Sequence, residues 1–233
     1  VELLSAPIDF GCVGQQFVHN PNAFDVDGDS ISYELVTPRE GVDTDVPKYK
    51  FPDEIVTGPF NTISLDPVTG NFVWESPQIV GEYNIAIKIN EYRGGVLIGS
   101  VIRDMQIFVS DCENQPPTIE SIDEICVIAG EEINIPILVD DPDEGQQVRV
   151  SVTGGPFQLM ESEATLNNDE DYVDPAVNLN FKWQTTCEHI SETYYQIVIK
   201  AVDDIFVFQE SGLAALKTIR IKVVGPPPEN LVT

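Results

Sequence analysis

Three segments of this 233-residue chain alternate their side chains with a period of two. In YNIAIKIN, Tyr83, Ile85, Ile87 and Ile89 fall on one side, and Asn84, Ala86, Lys88 and Asn90 on the other. YQIVIKAV places Tyr195, Ile197, Ile199 and Ala201 together, and KTIRIKVV sets Ile219, Ile221 and Val223 against Thr218, Arg220 and Lys222. Period two in runs rich in β-branched residues predicts half-buried antiparallel strands. Turn pairs such as Asp66-Pro67, Thr69-Gly70 and Gly94-Gly95 punctuate them. Helical periodicity is nearly absent, so the chain is read as all-β.

The pattern occurs twice. PIDFGCVGQQFVHNPNAFDVDGD lies over SIDEICVIAGEEINIPILVDDPDEG, matching Cys12 with Cys126. GNFVWESPQIVGEYNIAIKI lies over LNFKWQTTCEHISETYYQIVIKA, matching Trp74 with Trp183. Paired prolines follow each unit, in DCENQPPTIE and VVGPPPEN, where they end a ladder and stiffen a joint. A tandem repeat of about 110 residues with roughly seven strands per unit fits two immunoglobulin- or cadherin-like β-sandwich domains. The expected bounds are residues 1–113 and 114–228, with 229–233 beginning a linker. The strand-like start and the proline-rich end read as a segment cut from a longer protein.

Charge narrows the partners. Thirty-nine acidic residues against twelve basic ones give a net charge of −27. Such a chain repels nucleic-acid phosphates and anionic membrane surfaces, so neither is an expected partner. Clustered carboxylates instead favour divalent cations. No apolar run approaches the ~18 residues of a membrane helix, and the first residues do not read as a signal peptide.

Four cysteines fall two to a repeat. The pairing that stays within repeats is Cys12–Cys112 and Cys126–Cys187, with free thiols and zinc as the alternatives. Zinc sites usually have closely spaced pairs, which this sequence lacks. Disulfides place the chain in an oxidising, extracellular compartment.

The string AFDVDGDSISYEL brings Asp25, Asp27 and Asp29 around Gly28. Counted as an EF-hand from Asp25, it has Ser30 where glycine is required and Val36 where glutamate is required. Catalysis by carboxylates needs two acids across a cleft, and nothing marks such a cleft. Neither His19 nor His189 has a nucleophile in a recognisable context, and His189 reads as a loop residue. The chain is therefore read as no enzyme. Ca2+ remains the candidate cofactor, since it takes six to eight hard oxygens in flexible geometry. Its expected ligands are Asp25, Asp27, Asp29 and Glu91 in the first repeat. In the second they are Asp140, Asp141, Asp143 and Asp203, with Glu144 and Asp204 beside them. A solvated Asx-type turn that needs no metal accounts for the same aspartates.

DVDGDSISYEL followed by LDPVTGNFVWESPQIVGEYNIAIKI resembles dystroglycan-type cadherin-like repeats, with their D-x-D-G-D-x-x-x-Y opening and D-P-x-T-G-x-F-x-W core. EYRGGVLIGSVIRDMQIFVSDCENQPP and FKWQTTCEHI with KTIRIKVVGPPPENL are similar to repeats of very large Bacteroidota surface proteins. Those proteins end in gliding-motility-associated, type IX secretion sorting domains. The resemblance implies a repeat of an exported adhesin, filament or stalk, with Ca2+ at Asp25, Asp27 and Asp29. The second repeat departs from it, with DDPDEG in place of the D-x-D-G-D turn and VNLNFKW in place of the D-P-x-T-G core.

The leading functional reading is a structural or adhesive spacer whose partners are neighbouring repeats of the same chain. The alternative is a glycan- or protein-binding accessory module of a secreted enzyme. VPKYKFPDEIVTGPF would then supply Tyr49, Phe51 and Phe60 as a sugar platform, although such aromatics also close the end of a core.

Overall fold

The computed structural model describes residues 1–168, 171–205 and 212–227. Residue 228 and the linker expected at 229–233 lie outside them. The first sandwich is built from β1 (Ile8–Cys12), β2 (Phe17–His19), β3 (Ser30–Val36), β4 (Ile63–Leu65), β5 (Phe72–Trp74), β6 (Gly81–Arg93) and β7 (Val96–Ser110). One sheet runs β1-β7-β6-β3 and the facing sheet β2-β5-β4. The second sandwich has β8 (Thr118–Glu120), β9 (Glu124–Ile128), β10 (Glu132–Asp140), β11 (Val148–Gly154), β12 (Thr165–Leu166), β13 (Val177–Gln184), β14 (Tyr195–Asp203) and β15 (Ala214–Val224). Its sheets run β8-β10-β13-β12 and β9-β15-β14-β11. In both repeats the first long strand lies parallel to the last, β1 on β7 and β9 on β15. The chain is thus all-β, two tandem sandwiches of the immunoglobulin/cadherin kind.

The alternation in the sequence becomes two cores. Ile85, Ile87 and Ile89 of β6 are fully buried with Phe72, Trp74 and Ile107. Ile197 and Ile199 of β14 are buried with Ile219, Ile221, Phe181 and Trp183. The two tryptophans are structural equivalents. Trp74 meets Tyr83 edge-on at 4.9 Å, and Trp183 meets Tyr195 at 5.0 Å. Each indole N–H finds an acceptor, Asn61 Oδ1 for Trp74 and the Ser162 carbonyl for Trp183, as a buried indole requires.

The D-P-x-T-G turn shows why its residues travel together. Asp66 Oδ1 accepts the N–H groups of Val68 and Thr69. Burial opposes ionisation of Asp66, but those N–H bonds outweigh it and hold the carboxyl below its ordinary value. Gly70 follows at φ +78, and a Cβ there would sit 2.7 Å from the Tyr33 ring. Both the backbone and the space demand glycine. Gly70→Ala is expected to destabilise by at least about 1–2 kcal/mol, read as a lower urea midpoint; an unchanged midpoint would contradict this account.

Cys12 and Cys112 are joined in a disulfide with Cα atoms 5.8 Å apart. The expected Cys126–Cys187 bond is not formed, and both thiols are free and exposed. Strand alternation is the reason. On β9 the core-facing residue is Val127, so the neighbouring Cys126 points to the outer face, on a strand paired with β15 at Lys222. Cys187 opens a 3-10 turn, Cys187–His189, beyond the end of β13.

Candidate functional site

The aspartates of the first repeat fold into a self-capped turn. Asp25 Oδ1 accepts the backbone N–H groups of Asp27 at 3.0 Å and Asp29 at 3.1 Å. Gly28 takes φ +81 to close the bend. One carboxylate oxygen from each of Asp25, Asp27 and Asp29 lies within 4.8 Å of the others. Glu91 is drawn to the same place. Burial, followed by the charge of Asp25, pushes its carboxyl above the ordinary range.

This small acidic cluster can in principle hold a cation, but the protein supplies one of its own. The Arg93 guanidinium grips Asp29 through Nε (2.9 Å to Oδ1) and Nη2 (2.6 Å to Oδ2), and Nη2 also reaches Asp27 Oδ2 at 3.0 Å. Those bonds hold the Asp29 carboxyl below its usual range. Bidentate arginine–carboxylate pairing of this kind is the strong form of the contact. A metal at Asp27 and Asp29 would have to displace it. Sequence reasoning passed over Arg93, although it stands two residues after Glu91 on the same strand and so faces the same way.

In the second repeat the acids gather against the linker rather than against one another. Asp140 is exposed and accepts the N–H of Asp141. Asp141 Oδ1 accepts the N–H of Asp143 at 2.9 Å, and Asp143 Oδ2 accepts that of Gln115 at 2.8 Å. Asp203 is fully buried, and its Oδ2 accepts from Asn114 Nδ2 at 2.8 Å and from the Leu213 N–H. Burial, only partly offset by these bonds, pushes the Asp203 carboxyl up to about 6. Burial and the neighbouring acids also raise Asp141.

Asn114 is the hub. Gln15 Nε2 donates to its carbonyl and Gln146 Nε2 to its Oδ1. Among the described residues, Gln15 Oε1, Gln146 Oε1 and Asp141 Oδ2 are buried acceptors with no hydrogen-bond partner. Buried acceptors are expected to be satisfied. Oxygens short of donors are the kind of ligand a hard cation takes. Among the described residues, the acids there do not close into a three-carboxylate group.

Most of the buried polar residues lie where the repeats touch. Asp9 is 4 % exposed and takes Lys200 Nζ at 2.7 Å and His19 Nδ1 at 3.1 Å. Burial opposes its ionisation, but the His19 bond and the Lys200 charge outweigh it, and its carboxyl stays below the ordinary value. Asn22 donates to Thr153 Oγ1 at 2.8 Å, and Gln196 to the Thr69 carbonyl at 2.8 Å. Thr218 Oγ1 bonds to Asn71 Oδ1 at 2.7 Å. Phe24 packs on Gly155, where a Cβ would lie 2.8 Å from its ring. The outer face of β14 is therefore covered by the first repeat. Val198, on the solvent side by alternation, is buried and shares a cavity of about 190 Å³ with His19 and Leu4.

Of the remaining candidates, His189, Tyr49 and Phe51 make structural contacts. His189 accepts the Thr186 N–H at Nδ1, and its Nε2 bonds the Glu161 carbonyl, which closes the turn beneath Trp183. Tyr49 and Phe51 meet edge-on at 5.1 Å, with the Tyr49 hydroxyl on the Asn84 carbonyl, while Phe60 stands 83 % exposed. The described residues hold no catalytic constellation, and none of their helices is long and apolar enough to cross a membrane.

No family model and no curated protein matches the sequence. Among solved structures, the chain is similar to the tandem Ig repeats of Dlar at 11 % identity, over 97 % of this chain and 98 % of that one, with a TM-score of 0.37. It is similar to a protocadherin gammaB7 EC3-6 cis-dimer structure at 16 % identity, over 95 % of this chain and 46 % of that one, with a TM-score of 0.34. The SrpA adhesin of Streptococcus sanguinis matches 48 % of this chain and 59 % of its own at 16 % identity, with a TM-score of 0.34. The chain spans about half the length of the protocadherin chain. Strand order and core, rather than these distant likenesses, define the fold.

Proposed function

We propose that this chain is a non-catalytic structural or adhesive repeat pair of an exported bacterial surface protein. In this reading it is the gliding-motility-associated, type IX-secreted kind that its sequence resembles, with repeats bounded near 113/114. The Cys12–Cys112 bond supports an extracellular setting, since disulfides persist in oxidising compartments. The observation that carries the reading is the joint. Amide and hydroxyl pairs and a buried Asp9–Lys200 contact fix one repeat against the other, as a rigid spacer requires. The cation belongs at the Asn114 linker, on Asp141, Asp203 and the orphaned amide oxygens. At the self-capped turn, Arg93 already occupies Asp27 and Asp29.

Calcium titration followed by thermal melting tests this. Added Ca2+ is expected to raise the melting temperature of the wild type and of Asp29→Asn, but not of Asp141→Asn. An Asp29→Asn variant that loses the effect, or a wild type that shows none, would remove the linker site. Acid gives a second check without metal. The folded carboxyl of Asp203 titrates near 6, above the ordinary value of about 3.9. The folded state therefore binds the proton more tightly, and stability falls as pH rises through that window. In EDTA, Asp203→Asn is expected to flatten the slope of the urea midpoint between about pH 4 and 6; an unchanged slope would count against the assignment.

A further inference from the structure

We infer that the open edge of β7 is a self-association surface, where two copies of this chain pair strand to strand. On one side β7 bonds to β6 along its whole length. On the other, β1 covers only Gln106–Ser110. The Gln106 N–H reaches the Pro7 carbonyl, and the Arg103 side chain reaches that of Ser5, which marks where the cover stops. From Val96 to Ile102, no strand of the described residues lies along that edge.

Exposed edges are normally guarded by charge, proline or an overlying segment. Gly94–Ile102 contains no charged residue and no proline, in a chain with 51 charged residues. Its apolar side chains are out in solvent, with Val96 65 % and Leu97 52 % exposed and Ile98 and Val101 close behind. The one guarding device is the bulge opposite Glu91 and Tyr92.

The segment itself identifies the occupant. VLIGSVI is uncharged throughout, and turned about its central Gly99 it sets Val96 on Ile102, Leu97 on Val101 and Ile98 on Ser100. Two copies related by a two-fold axis would set apolar against apolar across the strand pair, with no carboxylates opposed. The result would be a continuous sheet, β3-β6-β7 meeting β7-β6-β3 of the second copy. Elsewhere the two chains repel, each carrying −27. Salt screens that repulsion within about 10 Å at 0.1 M, so association grows with ionic strength.

Sedimentation velocity on the 233-residue chain, across concentration and at low and high salt, tests this. The expected result is a shift from the mass of one chain to that of two as concentration and salt rise. Val101→Lys sets an ammonium group against Leu97 of the other copy and should move the midpoint at least tenfold in concentration. Ser100→Pro should abolish the dimer. By alternation from Gln106 the Ser100 N–H points outward, so proline costs no bond to β6. Melting curves matching the wild type confirm that both variants are folded. One-chain mass under every condition, or a dimer that survives both substitutions, overturns the proposal.

Discussion

Reduction of the Cys12–Cys112 bond is expected to lower the stability of the first repeat by roughly 3–4.5 kcal/mol, and that of the second by less, through the joint the two share. The bond closes a loop with a sequence separation of 100, from the first strand of the sandwich to just past its last. Cross-linking so long a loop removes conformational entropy from the unfolded chain, at most about 4.7 kcal/mol for 100 residues. It also secures the pairing of β1 with β7, a parallel contact between the ends of the repeat whose closure cost is otherwise met by its short ladder and by packing. Each repeat has one tryptophan, so Trp74→Phe and Trp183→Phe variants report the repeats separately. With reductant, the urea midpoint read from Trp74 should fall well below its oxidised value, and that read from Trp183 should fall less, by what the joint contributes. Coincident curves with and without reductant would contradict the assignment. Native thiol labelling without reductant should modify Cys126 and Cys187, two groups per chain; none would mean that those two are bonded.

What the sequence reveals here is whatever depends on period and local turn chemistry. Tyr83 to Ile89 and Tyr195 to Ala201 announce their inward faces because side chains on a strand alternate. Trp74 and Trp183 match because each sits on a strand of the facing sheet, one step before its tyrosine. The failures come from single-residue phase and from contacts between repeats. Cys126 aligns with Cys12 in sequence, yet lies one position out of phase with the core of β9, and no composition rule reveals that. Val198 reads as a solvent-side residue and is buried, because the surface that covers it belongs to the other repeat. Gln15 and Gln146 carry no metal-ligand signature, and only the fold brings both to Asn114. Acidic residues attract the eye as ligands. Amides, and the arginine that pairs with two of the first three aspartates, are legible only once the strands are placed.

The same contrast makes Lys200 the most consequential residue of the joint. Lys200→Met is expected to cost about 2–4 kcal/mol at pH 7, because Asp9 then stays buried with only His19 beside it. Removing one partner of a buried pair leaves an uncompensated charge, a loss of about 3–5 kcal/mol in fully enclosed sites. Lys200 is about a third exposed, so water reaches it and the lower part of that range applies. The pH dependence fixes the sign. The folded Asp9 carboxyl titrates below its unfolded value, so its contribution is present above about pH 4 and is lost as pH falls through the folded value. Without Lys200 the folded value rises, and the loss should begin at higher pH. Urea midpoints from pH 3 to 7 read this directly, and small-angle scattering reads whether the repeats separate as the radius of gyration grows. Asp9→Asn combined with Lys200→Met should recover much of the loss, since a neutral amide tolerates the site without a cation. If Lys200→Met alone matches the wild type at pH 7 in both measurements, the joint is held by its amide and hydroxyl pairs, and the ion pair contributes nothing to it.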